Sequence, residues 1–426
     1  MRILVVGQGA REHAIARRLA ENPTVDRLFA APGNAGIAEI ATCEPIAAAD
    51  VPSIAEFVER EDIDLTLVGP EAPLVAGLVD ELESRGRWAF GPMADAARIE
   101  GSKAWAKELC RKYAISSPRS EVFSDFEPAR EYMRELDPPF VIKADGLAAG
   151  KGVTVTEDRE TAVGALEAIL VDRIFGDAGS RVLVEEFLEG EEISAMAITD
   201  GRHVLPLALA QDFKRIGDGD TGPNTGGMGA YSPVQFVDQA MEERIASSVL
   251  ERAVQGMRAE GVRYGGVLYA GLMLTEEGPS LLEFNCRFGD PETEAVLPRL
   301  HSDLGEVILA SLEGNLSNYR VHWAPEPCVV VALASGGYPG EYKTGFEIDG
   351  LKEAESMEDV FVYHAGTANR DGRVVTAGGR VLAVSALGSS LEDARQRAYE
   401  ACALISFEGM HYRTDIAKRA AESALG

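Results

Sequence analysis

Glu283, Asn285 and Arg287 are spaced by two along an otherwise apolar stretch containing Leu281, Leu282, Phe284 and Cys286. In an extended segment, residues spaced by two share one face. Glu and Asn offer hard oxygen donors suited to Mg²⁺ or Mn²⁺. An Arg beside them is the matching cation for a transferring phosphoryl group or an acyl phosphate. The competing account is an exposed polar strand face, and the apolar neighbours weigh against it because polar groups on a buried strand call for partners.

A second chemistry-bearing run is 141–152, VIKADGLAAGKG, with Lys143 and Lys151 toward its ends and Gly146 between them. It lacks the upstream glycine spacing of a P-loop and the Ser/Thr after the lysine. What remains is an amide-rich loop whose N–H groups can cover phosphates. The chain has nine lysines in 426 residues, so lysines at such a loop carry weight. A third run, Gly7-Gln8-Gly9, follows a strand pattern and precedes a helix pattern, but Glu12 stands where a dinucleotide fingerprint needs its third glycine. That argues against hydride transfer. The turn is left either as an anion site, for instance for a sugar phosphate, or as a tight turn needed only by the sheet.

The elements that must position these groups follow from periodicity and turn residues. Strands are predicted at 2–6, 64–68 and 88–90 and a helix at 11–21, a βαβ rhythm that implies an open parallel sheet. Beyond residue 101 a helix at 102–112 has Ser102 as a possible cap, and strands are predicted at 140–143 and 181–186. Paired strands are predicted at 192–199 and 203–210, a long helix at 237–260, and a hairpin at 266–274 with 279–284. Residues 217–229 hold six glycines and no strand pattern. A last unit has strands at 328–334 and 380–385 and a helix at 391–405.

Composition bounds the rest. The net charge of −28 opposes nucleic-acid binding, which favours basic surfaces, and suggests adaptation to concentrated salt. The five cysteines are far apart with no CxxC pair, so buried reduced thiols are expected. No apolar run approaches a membrane span and no export signal is visible, so a cytoplasmic protein without membrane or nucleic-acid partners is expected.

Longer motifs carry a resemblance. QGAREHA at 8–14, APGNAG at 31–36, VGPEAPL at 68–74, the loop at 141–152, EEFLEGEE at 185–192, and above all 218–233 and 282–292 resemble the glycinamide ribonucleotide synthetase family. The similarity runs from about residue 1 to about 420. It implies an α/β chain with a Rossmann-like N-terminal domain (1–100), a two-lobed ATP-grasp domain (101–325, its small mobile lobe about 122–190) and a small α+β C-terminal domain (326–426) that helps close the ATP cleft. It implies ligation of glycine to 5-phosphoribosylamine, with ATP as co-substrate, through a glycyl phosphate, the alternative being another ATP-grasp carboxylate–amine ligase; a monomer is expected.

By the same resemblance, Lys103 and Lys143 contact ATP phosphates under the loop of Gly146 and Lys151, Glu185 and Leu188 meet adenine through the backbone, and Glu192 holds the ribose. Glu283 and Asn285 hold the metal, and Arg287, Lys214 and Asp212 are catalytic. Asn34, Gly36, Glu71, Arg215, Gly226, Gly227 and Asp290 serve the substrates. Two features depart from expectation. Phe213 stands where the family usually has His, and the strand at 266–274 lacks the extra metal-binding acid of many ATP-grasp enzymes, leaving two protein ligands.

Overall fold

A computed structural model describes residues 1–148 and 152–423. Lys151 therefore lies outside the described residues. Strands β1 (Arg2–Gly7), β2 (Arg27–Pro32), β3 (Thr42–Cys43), β4 (Leu65–Val68) and β5 (Trp88–Phe90) form a parallel sheet in the order β3-β2-β1-β4-β5. Ile3 to Val6 are fully buried, as a strand covered on both faces requires. The order reverses beside β1, which places the turn after it at the sheet's switch point.

A small lobe follows, with β6 (Ser120–Phe123), β7 (Phe140–Ala144), β8 (Val153–Thr156) and β9 (Val182–Glu185) antiparallel in the order β6-β9-β7-β8. Helices Phe126–Glu135 and Arg159–Leu170 cover it. Its core (Met133, Phe140, Ile142, Leu166, Val184) is separate from the larger cores.

The large lobe contains β10 (Glu191–Thr199), β11 (Val204–Pro206), β12 (Gln211–Asp212), β13 (Arg215–Gly217), β14 (Thr221–Asn224), β15 (Gly229–Ser232), β16 (Gly266–Thr275) and β17 (Gly278–Asn285). One sheet runs β11-β10-β16-β17, and its core is continuous with that of the first sheet through Ile193, Leu268 and Phe284. The predicted long helix is continuous but carries a π turn over Ala246–Leu250. The six-glycine segment, predicted without strands, contains the β13–β14 hairpin. Alternating polar and glycine residues gave it no apolar period to read.

The remaining strands are β18 (Cys328–Ala334), β19 (Val360–His364), β20 (Thr367–Arg370), β21 (Arg373–Thr376) and β22 (Arg380–Leu387), with helix Leu391–Leu404 packed on the sheet. That sheet runs β12-β15-β18-β22-β19, so two strands from before residue 326 complete it. The glycine-rich segment between β12 and β15 is thus anchored in the C-terminal sheet at both of its ends.

A candidate ATP-dependent ligase site

The first glycine turn is filled by its own helix. Glu12 folds back so that Gly9 N donates to Oε2 at 2.6 Å, and Arg11 Nε donates to Oε1 at 2.6 Å. A Cβ at Gly9 or Gly69 would come within 2.8 or 2.2 Å of a Glu12 carboxylate oxygen. Of the two accounts of this turn, the one the geometry fits is structural: the anion at the helix N-terminus is Glu12 itself. Arg11 is directed onward, its Nη1 donating to Phe288 O at 3.1 Å, and it lines the main cleft.

Two expected substrate residues are not brought to that cleft. Asn34 donates to Gln8 O (2.9 Å) and His364 O (2.6 Å) and accepts from Gly36 N and Ile37 N, which uses its amide fully. A Cβ at Gly36 would lie 2.4 Å from His13 Cε1. Both residues instead serve a joint between the first sheet and the C-terminal region, where His364 N donates to His13 Nδ1 at 2.8 Å. Burial pushes His13 down to about 3, helped by His364 and Arg17, and pushes His364 down to about 4. Both imidazoles are therefore neutral in the fold, whereas an exposed one binds a proton below about pH 6.5. The unfolded chain binds more protons in that window, so stability is complete above about pH 6.5 and falls as acid is added. The limiting slope is ~1.4 kcal/mol per pH unit for each imidazole. His13→Gln is expected to flatten the dependence between about pH 4 and 6.5, measured by urea unfolding at several pH values; an unchanged slope would contradict this origin.

The main cleft, about 1180 Å³, lies between the small lobe, the large lobe and the C-terminal region. Ser102 caps helix Lys103–Lys112, and Asp145 fastens the stem of the glycine-rich loop to the same helix end, accepting from Ala104 N at 2.7 Å. Lys103 Nζ reaches Gly146 O at 3.4 Å. Gly146 itself, unlike Leu147 and Ala148, is not at the cleft wall. Lys143 projects from β7 and donates to Leu282 O at 3.1 Å.

Glu185, expected to meet adenine through its backbone, also has a structural side chain: its carboxylate is buried 2.9 Å from Lys143 Nζ and 3.3 Å from Lys107 Nζ. Burial lowers the affinity of Lys107 for its proton, Glu185 opposing and Lys143 reinforcing the shift. Sequence reasoning missed Lys107, although a lysine one turn beyond Lys103 on the same helix face was a usable signal. Leu188 lines the cleft beyond the end of β9, and Glu192, on β10, is ion-paired with Lys214.

Strand β17 carries Glu283 and Asn285, and Arg287 follows in the bend just past its end. Glu283 is ionised below the usual range: burial opposes this, but Lys214, Lys103, Lys143 and Arg287 outweigh it. Asn285 Oδ1 accepts from Arg287 Nη2 at 3.2 Å, which leaves a second lone pair. Hard oxygens beside four cations fit a divalent ion shared with anionic phosphates. Among the described residues no group of three or more His, Cys, Asp and Glu is placed to hold a metal alone. Arg287 is held by Glu71 (Nε to Oε2, 3.3 Å) and Glu100 (Nη2 to Oε1, 3.3 Å), and these carboxylates raise its pKa against burial. Glu100, itself raised by burial, was not anticipated from the sequence.

Asp212, on β12, is pushed up to about 8 by burial, with Lys214 opposing and Glu292, Glu192 and Glu283 reinforcing. Asp290 pairs with Arg380 of β22 at 3.0 Å, and Arg380 also donates to Gly226 O (2.5 Å), Gly227 O (3.3 Å) and Asp290 O (3.1 Å). Gly226 lines the cleft and Gly227 packs behind it against Pro291. Arg215 donates to Gly222 O at 2.8 Å across its hairpin. Arg380 was invisible to local pattern because it comes from a different sheet.

A cleft between two lobes, lined by lysines and by the Glu-x-Asn-x-Arg run at the end of β17, is the arrangement of an ATP-grasp enzyme. Solved structures share the fold: a biotin carboxylase domain from Hydrogenobacter thermophilus superposes with a TM-score of 0.76 at 14% identity, covering 98% of this chain and 97% of that one. The chain belongs to the phosphoribosylglycinamide synthetase family. Models of that family's N domain match residues 1–100, of its ATP-grasp (A) domain residues 101–293, and of its C domain residues 328–419. Phosphoribosylamine–glycine ligase of Caldanaerobacter subterraneus subsp. tengcongensis is 48% identical, covering 98% of this chain and 99% of the relative. The Escherichia coli O157:H7 enzyme of that name is also 48% identical, covering 99% of each. The crystal structure of phosphoribosylamine–glycine ligase from Thermotoga maritima superposes with a TM-score of 0.85 at 35% identity, covering 98% of this chain and all of that one. Among the described residues no helix is long and apolar enough to cross a membrane.

Proposed function

We infer that this chain joins glycine to 5-phosphoribosylamine with ATP, giving glycinamide ribonucleotide, ADP and phosphate for purine synthesis. A carboxylate is a poor electrophile until one oxygen becomes part of a leaving group. A glycine carboxylate oxygen attacks the γ-phosphorus and ADP departs. The amine then attacks the acyl carbon of glycyl phosphate, phosphate leaves with the glycine oxygen, and the nitrogen loses a proton. The observation that carries this reading is that Lys103, Lys143, Lys214 and Arg287, from four separate segments, line the same cleft as Glu283 and Asn285. In a chain of net charge −28, that is where local positive charge meets anionic substrates.

The roles follow from position. Lys103 and Lys143 neutralise ATP phosphates under the loop that begins at Gly146 and includes Lys151. Glu185 holds Lys143 in place, the backbone near Leu188 meets the adenine, and Glu192 meets the ribose. Glu283 and Asn285 would hold Mg²⁺ or Mn²⁺, which supplies charge neutralisation at the phosphates. Arg287 stabilises the transferring phosphoryl and the acyl phosphate. Lys214 and Asp212 face the reacting carboxylate, and Glu71, Arg215, Gly226 and Asp290 border the substrate side. Three domains, 1–100, 101–325 and 326–426, with 122–190 as the closing lobe, suit this division of labour, and a cytoplasmic monomer suits the reaction. The test is ADP formation with each substrate omitted in turn, the amine being generated chemically from ammonia and ribose 5-phosphate. ADP is expected in step with product only when both are present; absence of ADP with the complete set would overturn the ligase reading.

A further inference from the structure

The glycine-rich segment after Lys214 has the composition of a swinging lid, but the structure fastens it at two points to the C-terminal region. At its exit, Gly226 N donates to Tyr338 Oη at 2.9 Å and Arg380 binds the Gly226 carbonyl. At its tip, residues 411–415 clasp the hairpin: Thr414 N donates to Asp218 Oδ1 (2.8 Å), Gly219 N donates to Asp415 Oδ2 (2.8 Å), and His411 Nε2 lies 2.9 Å from Ile216 O.

Arg413 is the centre of that clasp. It is 1% exposed, the largest fully buried side chain among the described residues. Its guanidinium donates to Asp220 Oδ1 (2.7 Å) and to both Asp415 oxygens (2.8 Å each). It also donates to Arg215 O at 3.1 Å and stacks 5.1 Å from the Phe213 ring centroid. Arg413 therefore holds the residues on both sides of Lys214, the ring before it and the carbonyl after it. Phe213 packs on the C-terminal core as well, which gives a physical role to the residue that replaces the family's usual His.

We propose that Arg413 is a positioning residue for ligation, fixing the 213–224 hairpin as a rigid wall that aims Lys214 into the cleft and keeps water from the acyl phosphate. The wall's work is exclusion. If the hairpin loosens, a water oxygen attacks the acyl carbon of glycyl phosphate, the C–O bond to phosphate breaks, and glycine and phosphate are released without product. ADP is then made without ligation. A side chain that only stabilised the fold would lower active enzyme without changing this ratio. The inference rests on the ligase reading, and the wild-type enzyme run alongside tests that reading separately.

The experiment measures product per ADP, and kcat/KM for glycine, in the full chain with Arg413→Met, Arg413→Lys and Asp220→Asn. Arg413→Met is expected to lose on the order of 10²-fold in kcat/KM, the cost of a misplaced reacting group, with product per ADP well below one. Arg413→Lys keeps the charge but not the fork, and should fall between Met and wild type. Asp220→Asn removes only the hairpin's exposed carboxylate, so its melting temperature should hold while kcat/KM drops roughly two- to fivefold and coupling falls. The proposal is overturned if coupling equals wild type in both Asp220→Asn and Arg413→Lys, or if activity falls only in proportion to folded protein. Should Arg413→Met fail to fold, the other two variants decide the matter by the same criteria.

Discussion

Arg287→Ala is expected to abolish ligation, with kcat lower by on the order of 10³-fold, the scale of losing a donor aimed at developing charge in a dry site. The variant should still bind ATP, because Lys103, Lys143 and Glu192 come from other elements of the cleft. The structure adds a second consequence. Arg287 neutralises Glu100, which is buried and also accepts from Cys286 N at 2.7 Å. Removing the cation leaves that carboxylate without its partner and should cost about 3–5 kcal/mol of stability. The two effects separate in the double variant Arg287→Ala/Glu100→Gln, which should recover most of the lost stability while turnover stays absent. Stability is read by urea unfolding and turnover by ADP formation. Turnover restored in the double variant would mean that Arg287 acts only by holding the fold.

The second large effect is expected at Glu283. Gln matches its shape but removes the charge that faces four cations lining the same cleft. Glu283→Gln should reduce kcat by about 10²- to 10³-fold and raise the divalent-metal concentration needed for half-maximal rate. A matching Asn285→Ala variant should shift the metal requirement in the same direction but less, since a neutral carbonyl is the weaker donor for a hard cation. The measurement is initial rate against Mg²⁺ and Mn²⁺ at fixed ATP, at equal folded fraction. An unchanged metal requirement in both variants would remove these residues from the metal site.

The parts of this site close together in sequence were readable from the sequence. Glu283, Asn285 and Arg287 declare a shared side by their spacing; β17 carries the first two, and Arg287, just beyond its end, turns back to Asn285. Ser102 announced its helix because a cap is a local device. Groups that work across elements were not readable. Lys107 shares a helix face with Lys103, but its buried ion pair shows only when Glu185 arrives from β9, and Arg380 and Arg413 gain meaning only when the C-terminal sheet accepts β12 and β15. The contacts of Asn34 and Gly36 with the C-terminal region were hidden for the same reason: the strand ending at His364 lies 330 residues further on for Asn34. The hairpin at 215–224 was missed because its order comes from Arg413 and its neighbours rather than from an alternating apolar pattern.

The central claim is that glycine is activated by transfer of the γ-phosphoryl group to its carboxylate. Glycine labelled with ¹⁸O in both carboxylate oxygens, turned over with ATP and phosphoribosylamine, tests it most directly by mass analysis of the phosphate released. The account expects one ¹⁸O in each phosphate and one retained in the amide product. Phosphate free of label, with ligation proceeding, would contradict it.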